Sequence, residues 1–349
     1  MPKFKVFIDG SAGTTGLRIV ERLQKRPEIE LLTISAEGRK DVNERAKVIN
    51  SADLAFLCLP DAAAKEVMPL VSENVKILDT STAHRTAPGW VYGFPELEGQ
   101  REKIKASNRV AVPGCHASGF ISTVAPLVQK GVLPAYFPFT CYSLTGYSGG
   151  GKSMIAAYEA PDRPEGYSAP RSYGLTLKHK HLPEMTAVCG LTSAPLFCPI
   201  VDDFYSGMQT VVPLRLELVQ DVTPEQVAAC LADYYQGESQ VLVHPLNELP
   251  EDKFLTTNLR TGSDKMEIFV VGHESQLLVM SLFDNLGKGS SGAAVQCMNL
   301  MLSLPETENP AGPRSLKPYR FSATPTRRLR RREKPNAARY MKSRRTRPC

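Results

Sequence analysis

The chain opens on a strand-compatible run, Lys5 to Asp9, which breaks into Gly10-Ser11-Ala12-Gly13-Thr14-Thr15-Gly16 and continues as a helix-compatible run from Gly16 to Arg26. This G-x-x-G-x-x-G turn between a strand and a helix allows few folds. Glycines at those positions permit a tight turn and let the backbone approach a pyrophosphate closely, while the helix N-terminus supplies unpaired N–H donors and positive potential. The pattern then repeats: strands at Ile29 to Ser35, Leu54 to Leu59 and Lys76 to Thr80 alternate with helical runs at Val42 to Ile49 and Ala62 to Val71. Alternation on this scale predicts a doubly wound parallel sheet, a Rossmann-type dinucleotide domain over residues 1–115. The expected dinucleotide contacts are Gly10, Ser11, Ala12, Gly13, Thr14, Thr15 and Gly16. The second strand ends in Ser35-Ala36-Glu37-Gly38-Arg39-Lys40, with no acidic residue where an NAD ribose would be gripped. A hydroxyl and two cations suit a 2′-phosphate, so Ser35 and Arg39 point to NADP.

Val112-Pro113-Gly114-Cys115-His116-Ala117-Ser118 places a thiol at a Pro-Gly turn, just ahead of the helix-compatible run Gly119 to Lys130. Unpaired N–H groups and the macrodipole at a helix start favour thiolate over thiol, which makes Cys115 the candidate nucleophile, expected to be ionised. The eight cysteines show no C-x-x-C spacing and no dense framework, so neither a zinc site nor a disulfide scaffold is predicted, and no metal is expected. Reduced thiols and an N-terminus without an apolar leader predict a cytoplasmic protein.

Beyond Cys115 the alternation is lost. Strand-like stretches at Phe139 to Thr145, Thr210 to Leu218, Met266 to Val271 and Gln276 to Phe283 surround a helix at Pro224 to Tyr235. They predict an α+β catalytic domain over residues 116–285 with a mostly antiparallel sheet, followed by an apolar helix within 286–304 that completes the first domain. Gly146-Tyr147-Ser148-Gly149-Gly150-Gly151-Lys152 is a flexible loop with a cation suited to an anionic ligand. Read through Ser153 it matches the spacing of a nucleoside-triphosphate loop, but the dinucleotide fold upstream argues against that use. Lys178-His179-Lys180-His181-Leu182-Pro183-Glu184 offers two imidazoles for proton transfer to a thiolate; metal binding or a solvated basic strand are the other readings of that spacing. Arg85 follows a strand at the carboxyl edge of the sheet, where a guanidinium can fork onto phosphate or carboxylate.

A chain of 349 residues with 42% hydrophobic content accommodates both domains, and no run approaches the ~20 apolar residues of a membrane span. The net charge of +6 is concentrated at the C-terminus: residues 305–349 hold 14 Lys and Arg against 3 Glu, leaving 28 basic and 33 acidic residues before them. This Pro- and Arg-rich tail is predicted to be disordered. It could bind nucleic acid or an anionic surface. A nucleic-acid-binding protein with a redox-sensing dinucleotide domain is thus the reading from a different class, and it ranks far below an enzyme.

Together these motifs resemble N-acetyl-gamma-glutamyl-phosphate reductase, in its shorter second type. The resemblance is carried by Gly10 to Gly16, Leu78-Asp79-Thr80-Ser81-Thr82-Ala83-His84-Arg85, Tyr92-Gly93-Phe94-Pro95-Glu96, Pro113-Gly114-Cys115, the glycine loop with Lys152, His179 to Glu184, and Phe283-Asp284-Asn285-Leu286-Gly287-Lys288-Gly289-Ser290-Ser291-Gly292. The tail after residue 304 has no counterpart in it. The resemblance implies a Cys115 thioester reduced by NADPH, with a histidine exchanging protons, either His181, which we favour, or His179. It further implies Arg85, Lys152, Ser148 and Glu96 as substrate or phosphate contacts, Asn285 beside the nicotinamide amide, a small-molecule acyl phosphate or semialdehyde with phosphate as partners, and a dimer or tetramer. Aspartate-semialdehyde dehydrogenase, which shares the chemistry, is the alternative within the class.

Overall fold

The computed structural model describes residues 3–307; the arginine-rich stretch from residue 308 onward lies outside the described residues. The first half runs β1 (Phe4–Asp9), α1 (Thr14–Leu23), β2 (Ile29–Leu32), α2 (Val42–Asn50), β3 (Leu54–Leu57), α3 (Asp61–Val67), β4 (Lys76–Asp79), β5 (Val91–Tyr92), α4 (Gln100–Ala106) and β6 (Arg109–Ala111). Its strands form one parallel sheet in the order β2-β1-β3-β4-β6-β5. Side chains alternate between two buried faces, as a sheet covered on both sides requires. Val6, Ile8, Leu54, Phe56 and Leu78 pack against Ile19 and Leu23 of α1 and Ile104 of α4. Phe7, Ala55, Leu57 and Ile77 pack against Ala46 and Ile49 of α2 and Ala64 and Val67 of α3.

The second half runs α5 (Cys115–Gln129), β7 (Thr140–Gly146), α6 (Gly151–Glu159), β8 (Arg171–Ser172), α7 (Leu182–Cys189), β9 (Leu196–Asp202), β10 (Met208–Arg215), α8 (Pro224–Tyr234), β11 (Val241–Val243), β12 (Met266–His273), β13 (Gln276–Phe283) and α9 (Gly292–Met301). The seven strands order as β11-β12-β13-β10-β7-β9-β8. Pairing is antiparallel except for β11 with β12 and β7 with β9, so the mostly antiparallel sheet expected from the sequence is present. The short strands β8 and β11, and β9, carried too weak a pattern to be read in advance.

The helix α5 connects the two halves. It leaves the last turn of the parallel sheet yet packs into the second sheet, with Phe120, Ile121 and Val124 against Met208, Val212, Val279 and Phe283. Gly119 allows this approach: a Cβ there would lie 2.6 Å from Thr210 Cβ and 2.8 Å from Ser281 Oγ. Its N-terminal residue, Cys115, is therefore held at the junction of the sheets. The chain then returns to the first half. A π-helical turn, Gly287–Ser291, leads into α9, whose Ala294, Val295 and Met298 cover the same sheet face as α1. The expected helix over 286–304 thus begins only at Gly292. A bidentate Arg22–Asp264 pair at 2.7 and 2.8 Å ties α1 to the loop before β12, and Arg26, just past α1, donates to Asn299 of α9 at 2.6 Å. Glu306, placed in the tail by composition, accepts from Arg101 at 3.0 Å and from Gln296 at 2.8 Å, so ordered packing continues past residue 304.

Candidate active site

The glycine turn and the π-helical turn meet above Cys115, joined by a 3.1 Å contact between the Thr15 and Ser290 hydroxyls. A cleft of about 330 Å3 opens there, and its walls bring together Thr14 and Thr15, Arg85, Gly114 and Cys115, Ser148 to Gly151, His179 to His181, and Asn285. A groove beside it runs over Gly13 to Gly16, Cys58 to Asp61, Lys152 and Lys180. Gly10 holds φ +83°, and a Cβ there would strike the Cys58 carbonyl, so glycine is required under the turn. Gly13 caps α1 without a side-chain hydrogen bond, leaving the first-turn N–H groups facing the groove. Thr14 Oγ1 is buried without a partner among the described residues. Free N–H donors and an unpaired hydroxyl along a glycine turn suit the phosphates of a dinucleotide. Ser11 and Ala12 form the loop of that turn and line neither opening.

Cys115 is the first residue of α5, and Gly114 in front of it makes no side-chain cap. The thiol is half-buried rather than sealed. Its expected ionisation is overturned: burial pushes the thiol above its ordinary value, and the His116 N–H, Arg85 and Lys180 pull it back only in part, while Glu184 raises it further. Desolvation by the surrounding loops outweighs the helix terminus. Both imidazoles of the His-Lys-His run stand nearby, with ring centroids 4.7 Å apart. Burial and the neighbouring Arg85 hold His181 well below its usual value, and burial with Lys180 puts His179 at about 4. Both are neutral at physiological pH and can accept a proton. His181 precedes α7, and its N–H donates to His179 Nδ1 at 3.2 Å. The run is a loop entering a helix, not a solvated strand.

Arg85 enters the cleft wall, but its fork is engaged by protein. Nε donates to Val112 O at 3.0 Å, Nη2 to Thr80 O at 3.1 Å and Nη1 to Glu184 Oε1 at 2.6 Å. Glu184, buried on α7, also accepts from Tyr92 Oη at 2.7 Å and from the Gly114 N–H at 3.1 Å. This pair clamps the ends of β4 and β6 to α7 and fixes the peptide that carries the thiol. Asn285 is likewise engaged: its Oδ1 accepts from Gly207 N–H at 2.8 Å and its Nδ2 donates to Ser148 Oγ at 3.0 Å.

Four expected contacts lie outside the cleft itself. Glu96 is buried in an ion pair with Lys288 Nζ, 2.7 Å to each carboxylate oxygen, and accepts from Gln296 Nε2 at 2.7 Å, so it supports the π-helical turn rather than a ligand. Ser35 and Arg39 are exposed beyond β2 and line neither opening; Ser35 Oγ accepts the Gly38 N–H at 3.0 Å. Lys152 stands on the first turn of α6, in the groove and not in the cleft itself. The glycine loop does join a strand to a helix, β7 to α6, but its backbone is drawn into Tyr205 and Phe204 carbonyls by Ser148 and Tyr147 N–H groups. Sequence reasoning missed His116, Tyr173, Lys180 and Glu184 as wall or support. Lys180 and Glu184 lie inside the Lys178 to Glu184 run but gain their roles only through partners distant along the chain, and Tyr173 stands in no motif. Among the described residues no group of three or more His, Cys, Asp or Glu side chains is placed to hold a metal ion.

Two family models match the chain: semialdehyde dehydrogenase, NAD binding domain, over residues 5–107, and semialdehyde dehydrogenase, dimerisation domain, over residues 115–285. N-acetyl-gamma-glutamyl-phosphate reductase 2 of Nostoc sp. is 49% identical over 323 residues, covering 88% of this chain and 99% of that protein. The reductase of Rhizobium etli is 47% identical over 306 residues, covering 86% and 99%. The chain belongs to the N-acetyl-gamma-glutamyl-phosphate reductase family. Among solved structures, aspartate semialdehyde dehydrogenase II of Vibrio cholerae shares the reductase fold at TM-score 0.65 and 16% identity over 87% of this chain and 99% of that one. The aspartate semialdehyde dehydrogenase of Candida albicans does so at TM-score 0.61 and 14% identity, over 86% and 98%. As a family member the chain is a nicotinamide-dinucleotide-dependent dehydrogenase. No helix among its described residues is long and apolar enough to cross a membrane.

Proposed function

We propose that this reductase converts N-acetyl-L-glutamyl 5-phosphate to N-acetyl-L-glutamate 5-semialdehyde and phosphate, a step of arginine biosynthesis in the cytoplasm, through a thioester on Cys115. One observation carries the reading: a single cleft brings Cys115, at the start of a buried helix, together with the glycine turn and two neutral imidazoles. Gly13, Thr14 and Thr15 would hold NADPH, which would supply the hydride.

The Cys115 thiol passes its proton to His181 as sulfur attacks the acyl carbon, and the carbon–oxygen bond to phosphate breaks. His181 suits this better than His179, since Nδ1 of the latter is occupied by the His181 N–H. Neutral thiol and neutral imidazole make a pair that ionises when substrate arrives, so the cysteine rests protected from oxidation. The N–H of Cys115, first residue of α5, is the donor assigned to the developing oxyanion, while the His116 N–H bonds the cysteine sulfur. After reduction, the tetrahedral alkoxide collapses, the carbon–sulfur bond breaks and the sulfur recovers its proton from His181. Lys152 and Lys180 flank the groove and attract the phosphorylated substrate. Arg85 and Asn285 act through what they hold, namely Glu184 with the Cys115 peptide and Ser148 with the glycine loop.

The reading assigns cofactor binding to residues 1–115 completed by 286–304, and catalysis and self-association, as a dimer or tetramer, to residues 116–285. It is tested by phosphate-dependent NADP reduction with N-acetylglutamate 5-semialdehyde and with aspartate semialdehyde in parallel. The former is the substrate used at the higher kcat/KM. A preference for the latter transfers the chain to the dehydrogenase activity of its structural neighbours, and absence of both ends the proposal.

A further inference from the structure

We infer that Tyr173 is a substrate-binding residue whose hydroxyl proton is directed into the cleft by a buried hydrogen-bond relay, Thr210 to Ser143 to His116. The inference rests on the reading above and adds a residue to that site. His116 is buried beside Cys115, with Nδ1 2.8 Å from Ser143 Oγ and Nε2 2.6 Å from Tyr173 Oη. Ser143 Oγ in turn lies 2.9 Å from Thr210 Oγ1. Thr210 and Ser143 are fully buried, and Ser143 Oγ is the one partner of the Thr210 hydroxyl among the described residues.

A buried hydroxyl with a single neighbour sends its proton there, because leaving it unpaired costs more than any choice of orientation. Thr210 therefore donates to Ser143, and Ser143 donates to His116 Nδ1. His116 is neutral, with burial and the neighbouring His179 and Lys180 putting it at about 3, so one ring nitrogen carries the proton. With Nδ1 accepting, the proton is on Nε2, which donates to Tyr173 Oη. The phenol has then no use for its own proton inside the protein. Tyr173 lines the cleft, and burial holds its phenol above the ordinary value, so it remains a donor. It follows β8 of the second sheet, with its N–H on Pro199 O, whereas Thr14 and Thr15 of the glycine turn belong to the first domain. Its acceptor is accordingly an oxygen of the acyl substrate and not of the dinucleotide.

The test compares Tyr173→Phe, Ser143→Ala and the double variant in the phosphate-dependent oxidation of N-acetylglutamate 5-semialdehyde. Loss of one donor to a substrate oxygen raises KM for the semialdehyde about tenfold in Tyr173→Phe, with KM for NADP unchanged and the melting temperature lowered, because the buried His116 Nε2–H loses its acceptor. Ser143→Ala frees His116 Nε2 to accept, turns the phenol inward and raises the same KM, and it adds nothing in the Tyr173→Phe background. Wild-type KM in Tyr173→Phe overturns the binding role. Additive effects overturn the relay, and Tyr173→Phe decides alone if Ser143→Ala does not fold. An inactive wild-type chain would instead refute the reaction assigned above.

Discussion

Gly114→Ala isolates positioning of the nucleophile from its chemistry. Gly114 has φ −76° and ψ 145°, open to any residue, so a methyl group introduces no backbone strain. Space is the obstacle. The added Cβ would sit inside contact distance of His181 Nε2, 2.5 Å from Arg85 Nη1 and 2.7 Å from Glu184 Oε1, where ordinary contact begins at 3.4 Å. Those side chains cannot easily yield, because Arg85 is tied to Val112 O and Thr80 O while Glu184 is tied to Tyr92 and the Gly114 N–H. Overpacking of this kind costs about 1–3 kcal/mol, and each kcal/mol shifts Tm by roughly 1–2 °C in a protein of this size. The remaining freedom is displacement of His181 or the Cys115 peptide by about 1 Å, which lowers turnover on the order of a hundredfold. Steady-state kinetics and thermal melts measure both. A Gly114→Ala enzyme with kcat within threefold of wild type and an unchanged Tm would refute the reasoning.

Three further outcomes are expected. Glu184→Gln removes the charge paired with buried Arg85 and offers an amide N–H where two donors already point; we expect a loss of about 3–5 kcal/mol in denaturant unfolding, and a loss below 1 kcal/mol contradicts the clamp. Alkylation of Cys115 by iodoacetamide, located by peptide mapping, should be slow at pH 7 and climb through pH 9 and above, because burial raises the thiol; a plateau reached by pH 7 would show an ionised resting thiol. His116 at about 3 lies below the ordinary histidine value, so between pH 6.5 and 3 the unfolded chain binds a proton that the folded chain refuses, and stability falls as pH falls. Going from pH 7 to 5 costs about 2 kcal/mol from this group, and His116→Gln should lose correspondingly less than wild type; equal losses contradict a neutral buried imidazole.

Local motifs made part of the site legible. The glycine turn, Cys115 after Pro-Gly, and the His-Lys-His run each declare their chemistry within a few residues, and the fold brings them to one cleft. Short apolar runs alternating with helix-compatible segments likewise made the first sheet legible. What the sequence withheld depends on partners distant along the chain. Glu184 meets Arg85 and Tyr92 only once α7 docks on the sheet edge, and Glu96 meets Lys288 only when the π-helical turn returns. A carboxylate or guanidinium can be recognised as polar from sequence, but whether it faces ligand or protein cannot. The ionisation of Cys115 was misjudged for the same reason: the helix terminus is local, whereas desolvation comes from loops far apart in sequence. Short β8 and β11 lack enough residues for a periodicity.

The most direct trial is intact-mass and peptide analysis of the enzyme mixed with N-acetylglutamate 5-semialdehyde and NADP without phosphate. With no phosphate to release the acyl group, an N-acetylglutamyl thioester should accumulate on Cys115, together with a burst of NADPH stoichiometric with the chain. An acyl group on another residue, or turnover with no adduct while Cys115→Ser stays active, contradicts the thioester route.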